Sequence, residues 1–178
     1  RLLWKLDGPS SRLPDLDFFL SMYILKDATY SSQIEGTRAT MMDAIEMTAG
    51  INEKDTDADD ILHYIEALNY SIKRLEDFPF SLRFIREIHA KLMIWARSTH
   101  FADPGEFRKS QNWIWWTKPS NALFVPPPVE SLDGALKDIE SFIHSTEYIP
   151  LLQAAMLHAQ FETIHPFLDW NGRTGRIL

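Results

Sequence analysis

Apolar residues recur at three- and four-residue intervals along most of the chain. Leu16, Phe19, Leu20, Tyr23 and Ile24 keep this spacing after Pro14, and Ile61, Ile65, Leu68, Ile72 and Leu75 form a second stripe. Acidic residues precede the second stripe, as suits the positive end of a helix. Ile85, Ile88, Leu92 and Trp95 make a third, and Leu136, Ile139, Phe142 and Ile143 a fourth. The period is that of one helical face, so each stripe predicts an amphipathic helix. From Leu151 to Ile164 the apolar residues occupy more than one face, which predicts a central, largely buried helix.

One segment breaks the helical period. Between Phe101 and Pro128 lie Pro104-Gly105, Pro119-Ser120-Asn121 and Pro126-Pro127-Pro128. Two short aromatic and β-branched runs sit among them, Asn112-Trp113-Ile114-Trp115-Trp116 and Ala122-Leu123-Phe124-Val125. Two such runs separated by a turn signal predict a β-hairpin projecting from a helical body. The plainer alternative is a long ordered loop packed on the core.

Composition narrows the class. A chain of 178 residues, 45% hydrophobic and 24% charged, suits one folded domain with a full core. No apolar stretch approaches the roughly 20 residues that span a bilayer, and the N-terminus lacks a signal-peptide pattern. Residues 1–75 read as an N-terminal helical region and 76–178 as the remainder of one continuous compact unit. The net charge of −7 argues against an electrostatic nucleic-acid binder. The absence of cysteine excludes disulfides and thiolate metal sites, and fits a cytoplasmic protein.

The chemistry concentrates in the last fourteen residues. His165 is followed four residues on by Asp169, then by Asn171-Gly172 and by Arg173 and Arg176, three apart. Histidine is the side chain suited to general-base work near neutral pH. A carboxylate can hold Mg²⁺, a hard ion that prefers oxygen ligands and phosphates. Glycine allows close backbone approach, and arginines bind phosphate bidentately. Together these are the parts of a phosphoryl-type transfer site. Taken singly, His165 and Asp169 are also types that a metal-dependent hydrolase uses, and His158 and His89 read as core histidines hydrogen-bonded to neighbours.

The run His165-Pro166-Phe167-Leu168-Asp169-Trp170-Asn171-Gly172-Arg173-Thr174-Gly175-Arg176 resembles the Fic family signature, His-Pro-Phe-x-Asp/Glu-Gly-Asn-Gly-Arg-x-x-Arg. Two further stretches carry the resemblance across most of the chain. Pro104-Gly105-x-Phe107-Arg108, Trp113-Ile114 and Asn121-Ala122-x-Phe124-Val125-Pro126-Pro127-Pro128 are similar to the family's flap. Ser31-Ser32-Gln33-Ile34-Glu35-Gly36 is similar to its N-terminal inhibitory motif, Ser/Thr-x-x-x-Glu-Gly/Asn.

The resemblance implies an all-α helical bundle with a small β-hairpin flap, and a protein adenylyltransferase activity. On it, His165 deprotonates a Ser, Thr or Tyr hydroxyl of a target protein, which attacks the α-phosphate of ATP. Asp169 coordinates Mg²⁺, Asn171 and Gly172 form an anion hole, and Arg173 and Arg176 contact the phosphates. The flap residues Trp113, Ile114, Asn121 and Phe124 align the target by strand addition. The motif of Ser31, Glu35 and Gly36 implies autoinhibition, with Glu35 pairing to Arg176. The local alternative is that Glu35-Gly36 is simply a helix stop. In some relatives the equivalent glutamate also supports AMP removal. A homodimer is left open. The family continues with further helices, some completing the adenine pocket, so the chain reads as part of a longer protein.

Three positions depart from the family's glycines. Trp115 and Trp116 lie in the flap, and Trp170 lies inside the anion loop. A tryptophan held at positive φ costs roughly 1–3 kcal/mol, and its indole can crowd the phosphates. A catalytically weak nucleotide- or protein-binding module, disabled by Trp170, is therefore the second reading.

Overall fold

A computed structural model describes residues 14–51, 56–94, 103–114 and 119–178. Among them are helices α1 (Leu16–Ile34), α2 (Met41–Thr48), α3 (Thr56–Arg74), α4 (Leu82–Met93), α5 (Val129–Ile143), α6 (Pro150–Ile164) and α7 (Asn171–Ile177). A 3-10 turn occupies Pro119–Asn121. The described residues contain no strand, so the helical class expected from the period is the one observed. Where a hairpin is predicted, they hold one antiparallel bridge between Ile114 and Phe124. Trp95, Trp115 and Trp116 fall outside the described residues.

The chain divides into two compact units, Arg1–Ile65 and Glu66–Leu178. In the first, Asp15 caps α1 by accepting from the Phe18 amide at 2.8 Å. Thr40 and Asp43 cap α2 reciprocally, a capping box. α1 packs on α2, and the Tyr64 hydroxyl donates to Asp27 Oδ2 at 3.3 Å. In the second, α6 lies against α5 and α7, and α4 lies against α5 and α7. Leu132, Leu136, Ile139, Leu157 and Ile164 form one apolar cluster; Ile85, Phe161 and Phe167 form another. The latter cluster lies directly beneath the segment that follows α6, so the core anchors the loop that carries the chemistry.

Burial sharpens and corrects the apolar stripes. Ile85, Ile88 and Leu92 are buried as their spacing predicts. On α3 the buried face runs instead through Ala58, Ile61, Tyr64, Ala67 and Ser71, while Ile72 and Leu75 are exposed. The buried face thus includes small residues, and the larger aliphatics at its C-terminal end mislead. On α1, Leu16, Phe19, Leu20 and Tyr23 are exposed, and the buried residues are instead Ala28, Thr29, Ser31 and Ser32 in its C-terminal half. The largest correction concerns α6, expected to be largely buried. Only Leu157, Phe161 and Ile164 are buried, and Leu151 is 66% exposed. Its neighbours cover one side, which leaves Leu151, Leu152 and Met156 outward. No helix among the described residues is long and apolar enough to cross a membrane.

Candidate functional site

α6 ends at His165, whose backbone is left-handed with φ 50° and ψ 61°. That conformation costs a residue bearing Cβ about 1–2 kcal/mol, so its surroundings must impose it. The His165 carbonyl accepts from Arg108 Nε at 3.0 Å and from Asn112 Nδ2 at 3.1 Å. Phe167 then turns inward and is fully buried. Asn171 closes the loop behind it. Its Oδ1 accepts from the Phe167 amide and its Nδ2 donates to the Phe167 carbonyl, both at 2.8 Å. These two bonds use the Asn171 amide as a staple inside the protein, and the side chain is buried.

His89 of α4 braces the same loop from below. Its ring stacks on Phe167 at 3.7 Å with the planes 3° apart. The Gly105 amide donates to Nδ1 at 2.9 Å, so the ring proton sits on Nε2, which donates to the Asp169 carbonyl at 3.2 Å. Burial pushes its pKa down to about 4, so the ring is neutral at physiological pH. Gly105 has φ +75°, and a Cβ there would lie 2.9 Å from the Arg86 carbonyl oxygen. Glycine is therefore required at this contact. His158 joins α6 to α7, its Nδ1 lying 2.7 Å from the Gly175 carbonyl.

Trp170 is the second left-handed residue, with φ 61° and ψ 15°, and is the residue before α7. Its carbonyl accepts from the Thr174 amide at 3.0 Å and the Thr174 hydroxyl at 2.8 Å. Its indole lies over Arg173, with the guanidinium carbon 4.0 Å from the ring centroid. Arg173 is buried, while Gly172 and Arg176 are half-buried. Asp169 is exposed, and its Oδ1 accepts from the Trp170 amide at 2.8 Å. No group of three or more His, Cys, Asp or Glu residues among the described residues forms a metal cage. A lone exposed carboxylate fits Mg²⁺ nonetheless, since that ion usually keeps waters and takes one or two carboxylates plus substrate phosphates.

Of the residues expected in a flap, Ile114 and Phe124 form the bridge itself. The Ile114 amide donates to Phe124 O at 2.9 Å, and the Leu123 amide donates to Ile114 O at 3.2 Å. Trp113 and Phe124 are partly exposed, and Asn121 ends the 3-10 turn. Ser31, Glu35 and Gly36 belong to the first compact unit. Ser31 is buried, Glu35 is the exposed C-cap of α1, and Gly36 has φ 96°. The Thr37 amide donates to Ser32 O and the Gly36 amide to Gln33 O, the paired bonds of a Schellman stop. Thr37 Oγ1 and the Arg38 amide then donate to Asp60 and Asp57 at the start of α3. Glu35-Gly36 therefore forms a helix stop, with Glu35 at its exposed C-cap.

The family model described as Fic/DOC family matches residues 79–178, and that of the Fic/DOC family N-terminal region matches residues 1–73. The chain belongs to the Fic/DOC family. Among curated Fic/DOC relatives, Protein adenylyltransferase Fic of Aedes aegypti is 33% identical over 62% of this chain and 21% of its own length. A probable protein adenylyltransferase of Aquifex aeolicus is 29% identical over 71% of this chain and 39% of its own. The chain thus spans well under half the length of these relatives. Among solved structures, a Fic domain containing signaling protein from Bacteroides thetaiotaomicron superposes with TM-score 0.75 at 19% identity, over 91% of this chain and 62% of that one. A Fic family protein from Desulfovibrio desulfuricans gives 0.72 at 20% identity, over 96% and 49%.

Within this Fic/DOC frame, sequence reasoning missed the supporting residues. Arg108 was legible only as part of a flap motif, Asn112 only as the edge of an aromatic run, and His89 only as a core histidine. A signal did exist for Arg108. It is an arginine in an aromatic, Gly- and Pro-marked stretch where burial is expected, and a buried guanidinium needs several acceptors.

Proposed function

We propose that the chain carries a protein adenylyltransferase site that moves AMP from ATP to a Ser, Thr or Tyr hydroxyl of a target protein. The observation that carries this reading is the braced loop from His165 to Asn171, which leads directly into a helix bearing Arg173 and Arg176. A loop so fixed positions a base and phosphate-directed cations before substrate arrives, the main requirement of phosphoryl-type transfer. The curated relatives named protein adenylyltransferase support the same chemistry.

In this mechanism His165 accepts the proton of the target hydroxyl. The hydroxyl oxygen forms a bond to the α-phosphorus of ATP as the bond to the β-phosphate oxygen breaks, and pyrophosphate leaves. Arg173 and Arg176 balance the phosphate charge, while Asn171 and Gly172 shape the loop around it. Asp169 is the residue that would hold Mg²⁺, whose charge neutralises the phosphates when bound. The segment around Ile114 and Phe124, a hairpin flap in this reading, docks the target as an added strand, with Trp113 and Asn121 flanking it.

Glu35 is the proposed inhibitory group. Its carboxylate, at the exposed end of α1, pairs in this reading with Arg176, and an arginine so engaged cannot hold the γ-phosphate. The contact of Trp170 with Arg173 favours a second reading, a Fic-like module that binds nucleotide and transfers poorly. The deciding experiment incubates the protein, Glu35→Gly, and Glu35→Gly with His165→Ala, with ATP radiolabelled at the α-phosphate. His165-dependent label on protein supports transfer. Nucleotide binding without label supports the module. Labelled AMP removed from a modified target by the Glu35-containing form identifies the reverse activity.

A further inference from the structure

The end of α6 exposes four successive backbone carbonyls, those of Ile164, His165, Pro166 and Phe167, and two residues engage all of them. Arg108 donates from Nη2 to Ile164 O at 3.4 Å, from Nε to His165 O at 3.0 Å and from its backbone amide to Pro166 O at 2.8 Å. Asn112 Nδ2 donates to His165 O at 3.1 Å and to Phe167 O at 2.9 Å. Both side chains are buried, Arg108 to 3% exposure. The partners of the Arg108 guanidinium among the described residues are all carbonyl oxygens, so its charge sits at the negative end of α6. It also donates from Nη2 to Pro127 O at 2.5 Å, at the far end of the flap segment.

We infer that Arg108 and Asn112 are positioning residues that impose the left-handed backbone of His165, and so aim its imidazole, while tying that base to both ends of the flap. The inference rests on the transfer reading above. The geometry supports it in two ways. His165 is strained at φ 50°, and its carbonyl oxygen is held by two donors, Arg108 Nε and Asn112 Nδ2. A guanidinium serves three directions at once with a rigid plane, which a lysine ammonium on a flexible stem cannot reproduce. A segment that docks a target at one end therefore shares an anchor with the base that must meet the target's hydroxyl.

The test uses Asn112→Ala and Arg108→Lys in the Glu35→Gly protein, read by self-labelling with α-labelled ATP. The maximal rate is expected to fall about 10- to 100-fold per folded molecule, because small misplacement of a reacting group is costly. The ATP concentration at half-maximal rate is expected to stay within about twofold, since neither residue is assigned a nucleotide contact. The Cα and Cβ chemical shifts of ¹³C-labelled His165 are expected to leave their left-handed values. Thermal melting reports the folded fraction, and Asn112→Ala decides the question where Arg108→Lys unfolds. An unchanged maximal rate with unmoved His165 shifts overturns the inference. So does a loss explained entirely by unfolding, or one confined to the half-saturating ATP concentration. Displaced His165 shifts in a protein that shows no His165-dependent labelling overturn the transfer reading and leave the positioning role standing.

Discussion

Among the described residues, α1 and α6 each end in a left-handed residue, and they do so by opposite means. α1 stops at Gly36, φ 96°, where no Cβ exists and two Schellman bonds complete the turn. α6 stops at His165, φ 50°, where a full imidazole is kept and Arg108 and Asn112 hold the strained backbone. The first ending uses the residue that makes the geometry easy. The second keeps a costly residue and surrounds it with buried donors, which suits the catalytic role proposed for His165. Trp170, left-handed five residues later, belongs with the second kind in strain, although its ring covers an arginine.

The sharpest way to break this comparison is to remove the side chain that justifies the strain. His165→Ala in the Glu35→Gly protein is expected to cut self-labelling by about 10²- to 10⁴-fold, the range for a lost general base. Melting should change far less, because the backbone donors remain.

The next effect concerns the brace beneath the loop. His89 is depressed to about 4 by burial, against an ordinary value of 6.5. Above pH 6.5 the ring is neutral in both folded and unfolded chains, and its contribution to stability is intact. As pH falls toward 4 the unfolded chain gains a proton that the folded chain resists. About 3 kcal/mol of stability is then lost. Denaturant midpoints measured from pH 7 to pH 4 should fall accordingly, and the slope should flatten in His89→Gln.

At the α1 ending, Glu35→Gly is expected to raise self-labelling about 10- to 100-fold. That matches release of a charge-assisted arginine pair of about 1.5–3 kcal/mol. Trp170→Gly should raise it between a few-fold and about 30-fold, the factor equivalent to a cation–π contact of about 0.5–2 kcal/mol over Arg173. Gly36→Ala should be smallest, costing about 1 kcal/mol in thermal or urea unfolding. Nothing lies within 4 Å of the added Cβ, so only the backbone conformation resists it.

The comparison also explains what could be read from the sequence. Helical period placed α3, α4, α5 and α6, because local spacing decides which residues share a face. It failed on burial where the answer depends on neighbours. Leu151 and Leu152 are exposed because α5 and α7 cover only one side of α6, and Ser71 is buried where Ile72 is not. The signature from His165 to Arg176 was legible because its groups are consecutive. Its supports were not, because Arg108 and Asn112 lie more than fifty residues from the carbonyls they hold. His89 lies 80 residues from Asp169. Such bonds follow from tertiary placement and leave no local spacing to read.

The central claim is that the strained loop at the end of α6 transfers the adenylyl group of ATP. Its most direct test labels Glu35→Gly with ATP carrying the radiolabel on either the α- or the γ-phosphate, with and without His165. The account predicts label on the protein from the α-position only, and its loss in His165→Ala. Label from the γ-position, or α-label that survives without His165, would contradict it.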